Sequence, residues 1–138
     1  DFYNIPVCKI NEIKKGGDYL TDDGKWIKNE TLTTPAIPPR TYAYCSDTAY
    51  SPEIIPYIQH SDVLYHEATF AEAENLRAQE TYHSTARQAA EIARSANVRK
   101  LIIGHFSSRY HELGELLDEA QAVFPETELA DEGMTINL

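Results

Sequence analysis

Basic residues are in short supply. Twelve Lys and Arg stand against 22 Asp and Glu in 138 residues, a formal net charge of −10. A free-standing nucleic-acid binder carries a basic footprint, so any reading that involves RNA must find its positive surface elsewhere. The same acidity suits a metal site, because carboxylates and bound cations offset each other. Cysteine is scarce as well: Cys8 and Cys45 are the only two. They lack metal-site spacing and do not make a disulfide scaffold, so they read as reduced thiols of a cytoplasmic protein. No apolar run approaches a membrane span and no signal peptide is visible, which removes the membrane from the expected partners. Internal repeats and low-complexity tracts are missing too.

What remains is an ordinary globular composition, 42% hydrophobic and 25% charged, enough for one core. Residues 1–40 read as a hairpin and connector. The Asp22-Asp23-Gly24 turn has Tyr19-Leu20 and Lys25-Trp26-Ile27 on its arms, and the three prolines of 33–40 keep the next stretch extended. Residues 41–138 alternate between strand and helix patterns. Strands are expected at 41–45, 62–68 and 100–105, and helices from Ser51, from the Thr85/Gln88 capping box and over 112–124. Ala86, Ala89, Ala90, Ala93 and Ala96 form a stripe of small residues that lets a helix lie close to a sheet. The C-terminal stretch from Glu126 reads as two short strands around a Glu-Gly turn. This is α/β layering.

In such sheets chemistry gathers beyond the carboxyl ends of the strands. That rule selects Ser46-Asp47-Thr48, His66-Glu67 and Gly104-His105. Asp47 is either a turn residue bonding nearby amides or a metal ligand on a rigid strand end. His105 is either a packed residue or, with Asp47, half of an imidazole–carboxylate pair of the kind zinc takes. His66 and Glu67 are neighbours on a strand and so point to opposite faces. His83 precedes the capping box; a carboxylate bonded to it would fix its tautomer and make a general acid, while the plain alternative is a partly exposed loop residue. Arg109 suits phosphate recognition, or else a salt bridge to one of the many acids.

Taken in order, "SDT" (46–48), "HEATF" (66–70), "HSTARQAAEIA" (83–93) and "GHFSSRY" (104–110) resemble the C-terminal motifs of ribonuclease Z, the tRNA 3′-processing endonucleases with a metallo-β-lactamase fold. The resemblance runs from about Tyr42 to the C-terminus and more loosely back through 14–27. It implies the C-terminal half of an αββα sandwich, a homodimer, and two bound zinc ions, with manganese possible. It implies that Asp47 and His105 ligate metal, that Glu67 and His83 form a proton relay, and that Thr48, Ser107 and Arg109 contact the RNA. His66 is then scaffold. The family's "HxHxDH" motif, a further histidine ligand and the tRNA-binding arm do not occur in these residues. The chain is therefore expected to be part of a longer enzyme acting on precursor tRNA, inactive by itself and dependent on an N-terminal half or prone to self-association through an apolar inner sheet face. Two other readings stay open: another hydrolase of the same fold, or a non-catalytic binding or assembly subunit.

Overall fold

Two hydrophobic clusters form, one in each of the two units into which the chain divides, Asp1–Pro39 and Arg40–Leu138. The computed structural model describes residues 3–137. In the first unit, helix α1 (Val7–Lys14) is followed by an antiparallel pair, β1 (Tyr19–Leu20) and β2 (Trp26–Ile27), and one helical turn, α2 (Asn29–Leu32). Ile13, Tyr19 and Ile27 are its buried core. Asn29 ties the pieces together, its side-chain amide donating to the carbonyls of Ile13 (2.6 Å) and Gly17 (2.9 Å).

The second unit is built on a four-stranded sheet: β3 (Tyr42–Cys45), β4 (Val63–Glu67), β5 (Leu101–Gly104) and β6 (Thr127–Leu129), neighbours in that order and all parallel. Each crossover carries helix. A 3-10 turn (Pro52–Ile54) and α3 (Ile55–Ile58) join β3 to β4; α4 (Asn75–Glu80) and α5 (Ala86–Ser95) join β4 to β5; α6 (Gly114–Val123) joins β5 to β6. Leu64, Leu101 and Ile103 share one sheet face and one core with Ile92 of α5 and Leu116 of α6. Burying each contributes about 1.5–3 kcal/mol. Ala86, Ala89, Ala90 and Ala93 are all fully buried, as close packing of α5 requires. The Thr85/Gln88 capping box is formed in both directions, an arrangement that stabilises the helix start by about 1 kcal/mol.

Strand parity separates the two sheet faces. Ala43, Cys45, Leu64, Leu101 and Ile103 lie under the helices, and the register pairs His66 with Cys45 and Ile103. Glu67, one residue on, is paired with Gly104 and faces the other way. That second face carries Tyr42, Tyr44 and Tyr65, the last two stacked at 4.7 Å. Tyr42 is 49% and Tyr44 64% exposed on it, whereas Val63 and Ile102 are buried. The exposed part of the face expected to be apolar is thus largely tyrosine, with rings that carry hydroxyls, and Glu128. Tyr65 also accounts for Gly104, since a Cβ there would collide with the Tyr65 hydroxyl.

Two local expectations need correction. Ser51 occupies the cap position, but its hydroxyl bonds Glu53 (2.7 Å) rather than a helix amide. The C-terminal stretch forms one strand, β6; after the turn at 132–133 the described residues are irregular. Among the described residues no helix is long and apolar enough to cross a membrane.

Candidate active site

The three strand tips meet because β3, β4 and β5 are parallel neighbours. His83 reaches them from the β4–β5 crossover through a second piece of parallel pairing. Phe70 and Thr85 form a bridge, with the Ala86 amide donating to the Phe70 carbonyl (2.9 Å) and the Phe70 amide to that of Ser84 (3.4 Å). This seats the loop before α5 against the end of β4.

Glu67 is the hub. It is fully buried. Its Oε1 lies 2.8 Å from His83 Nδ1 and accepts the Thr48 amide at 3.0 Å. Its Oε2 accepts the Thr69 hydroxyl at 2.7 Å and the amides of Thr69 and Ser84, each at 3.2 Å. Burial alone would push this carboxyl up; the hydrogen bonds from Thr69, His83 and Ser84 and the nearby imidazole outweigh it and hold Glu67 below the usual carboxylate range. An ionised Glu67 also settles the local chemistry of His83: Nδ1 carries a proton toward the carboxylate, leaving Nε2 to meet whatever occupies the site.

Asp47 and His105 are the open part. Asp47 Oδ1 and His105 Nε2 are 3.5 Å apart, with the side chains 75% and 42% exposed. Together with His83 they form a cluster whose ligand atoms all lie within 4.8 Å of one another. The His83 and His105 ring centres are 5.3 Å apart. Two imidazoles and a carboxylate at this spacing fit a zinc-like ion. Asp47 (φ 50°), His105 (φ 60°) and Tyr82 (φ 59°), the residue before His83, all adopt left-handed backbone. For a residue as bulky as Tyr82 this is uncommon, and such strain gathers where a fold over-determines a site.

The remaining residues singled out from the sequence fall around this centre. Thr48 supports it from behind: its amide holds Glu67 and its carbonyl accepts the Ser84 hydroxyl at 2.7 Å. Ser107 donates its amide to the Thr69 carbonyl at 3.1 Å. Arg109 sits at the rim, 3.3 Å from Glu74 and 5.4 Å above the Phe70 ring; the salt bridge weighed against a phosphate role is present. His66 is fully buried on the helix side, with Nδ1 2.7 Å from the Glu67 carbonyl. Among the described residues its Nε2 has no hydrogen-bond partner, and burial pushes its imidazole down from the ordinary histidine value. Sequence reasoning missed two things: Thr69 as a link between the tips, and the approach of His83 to the Asp47–His105 pair. The threonine two residues after Glu67 was the available signal for the first.

With this geometry in hand, comparison with known proteins places the chain in a class. The family model described as "Beta-lactamase superfamily domain" matches residues 33–106, and the chain belongs to that family. Within it, the chain is similar along its whole length to curated proteins named ribonuclease Z. It is 55% identical to that of Parabacteroides distasonis, 57% to that of Bacteroides fragilis and 56% to that of Porphyromonas gingivalis, covering 100% of this chain and 45% of each relative. It therefore spans about half the length of the curated relatives it matches. Among solved structures, the metallo-beta-lactamase fold protein YhfI from Bacillus subtilis aligns with a TM-score of 0.64 at 26% identity, over 69% of this chain and 39% of that one. A long form RNase Z from yeast aligns with a TM-score of 0.57 at 33% identity, over 64% of this chain and 12% of that one.

Proposed function

We propose that the chain is the C-terminal part of a metallo-β-lactamase-fold domain in a zinc-dependent endoribonuclease that removes the 3′ trailer from precursor tRNA. The observation that carries this reading is the closed Glu67–His83 pair, 2.8 Å long, set beside the Asp47–His105 pair. A proton donor and a metal-ligating pair at one strand edge is what hydrolysis of a phosphodiester needs. Metal bound here would supply activation of water and charge neutralisation at phosphorus. Asp47 and His105 are the residues assigned to hold it.

The chain's own part is proton handling and positioning. Glu67 holds the His83 ring in place through Nδ1, so that Nε2 can deliver a proton to the leaving oxygen. Thr48, Ser107 and Arg109 are assigned to the RNA, with Arg109 exchanging Glu74 for a phosphate. The N-terminal half of the relatives is assigned the rest of the metal cage and the basic surface that a net charge of −10 does not provide. A cytoplasmic homodimer is the setting this reading carries with it.

With zinc and precursor tRNA, the isolated chain should leave the RNA intact, because two ligands from separate strands do not hold a dinuclear site. The full-length protein should cut it. Robust cleavage by the isolated chain would refute the division of labour. A second reading is another hydrolase of this fold; a full-length protein that prefers bis(p-nitrophenyl) phosphate to precursor tRNA would support it. Zinc binding that never appears, with or without the N-terminal half, would favour a binding module.

A further inference from the structure

Thr69 stands between the two halves of the site. Its side chain is buried, 7% exposed. Its Oγ1 lies 2.7 Å from Glu67 Oε2, 3.0 Å from the His105 carbonyl oxygen and 3.3 Å from His105 Nδ1. A hydroxyl has one proton to give and two lone pairs to offer, so these contacts cannot all be served by donation. The Glu67 carboxylate is the shortest contact, and a hydrogen bond to a charged acceptor is about twice as strong as a neutral one. The His105 carbonyl can only accept, so the proton goes to Glu67, shared with that carbonyl, and not to the ring. Toward the His105 ring Oγ1 can then only accept, which requires a proton on Nδ1.

One contact pulls the other way. A proton on His105 Nε2 would point at Asp47 Oδ1, but that distance is 3.5 Å and Asp47 is 75% exposed. It is longer than the 3.3 Å contact between the same ring and Thr69 Oγ1, and water satisfies Asp47 in any case. The shorter, part-buried contact with Thr69 decides. We propose that Thr69 is a positioning residue: oriented by Glu67, its hydroxyl holds His105 as the Nδ1–H tautomer and leaves the Nε2 lone pair facing Asp47. The use made of that lone pair rests on the metal reading above; the tautomer does not. The relay and the ligand are then joined through one oxygen, in the manner of the outer partners that orient metal-binding imidazoles.

The test is the imidazole nitrogen spectrum of the metal-free, 15N-labelled chain, recorded with the histidines neutral. His105 should be protonated at Nδ1 in the parent chain and in Thr69→Ser, which keeps the hydroxyl. In Thr69→Val, which keeps the shape, it should move toward Nε2–H. Zinc affinity, read by calorimetry, should fall about 10- to 100-fold in the Val variant and recover in the Ser variant. An Nε2–H tautomer in the parent chain overturns the proposal even if no variant folds. So does a Val variant with the parent tautomer. The expected tautomers with no zinc binding in any form would remove the metal reading and leave the role of Thr69 standing.

Discussion

Asp47 and Glu67 are both carboxylates at the ends of adjacent parallel strands, yet their surroundings are opposite. Glu67 is fully buried and accepts from Thr48, Thr69, Ser84 and His83; the Asp47 side chain is 75% exposed and meets His105 at 3.5 Å. The Glu67–His83 pair is closed by packing within this chain, because the Phe70–Thr85 bridge and the Ser84–Thr48 hydrogen bond hold the loop before α5 against it. The Asp47–His105 pair faces water. The relay proposed for the first pair needs a fixed partner; the metal binding proposed for the second needs further donors, and the exposed tip leaves room for them.

Substitutions should break this comparison unevenly. In the full-length protein, His83→Ala should lower kcat by about 10²- to 10⁴-fold, the range for a lost general acid, with little change in KM; an unchanged kcat would remove His83 from the chemistry. Glu67→Ala strips the acceptor from several buried donors and should cost about 3–5 kcal/mol in urea unfolding. Asp47→Ala, at the exposed tip, should cost less than about 1 kcal/mol in the same assay. Equal costs would mean that the two tips are not different in kind.

Acid should act on the buried side first. His66 is neutral in the fold and its value is pushed below the ordinary 6.5, so the unfolded chain takes up the proton that the fold resists. Stability should hold above that value and decline as pH falls below it, by up to about 1.4 kcal/mol per pH unit for one proton. Glu67 is held below its ordinary 4.5, so its contribution is present above that value and is lost as pH falls further. His66→Phe should remove the upper of the two declines and leave the lower. The smallest effect belongs to the rim: Arg109→Ala should change stability by less than about 1 kcal/mol, while raising KM for RNA if Arg109 meets phosphate.

The α/β layering was legible because its signals are local: the Thr85/Gln88 box, the alanine stripe behind it, and short apolar runs ending at polar tips. The tips themselves followed from strand parity and the rule for parallel sheets. Parity also separated His66 from Glu67, which takes only adjacent numbering to see. What could not be read was anything set by packing across the sheet. Nothing local says that Tyr65 covers Gly104, that Thr69 reaches His105, or that His83 swings beside the Asp47–His105 pair. The missing second C-terminal strand is a smaller case. The residues after the Gly133 turn have strand-prone side chains, but a strand also needs a neighbour to pair with.

The bridge between Phe70 and Thr85 has a consequence for how the molecule comes together in time. The contacts that make the site join residues far apart in sequence: 16 positions separate Glu67 from His83, and 36 separate both Thr48 from Ser84 and Thr69 from His105. Each requires a crossover to close before it returns any stabilisation, and loops of that kind are the slow part of building a parallel sheet. Helix α5 can form from local information, but the Glu67–His83 pair cannot. The amide of Ser84, held by Glu67, is therefore a clock for folding: its protection from hydrogen exchange should appear with the last phase of refolding, after that of the α5 amides.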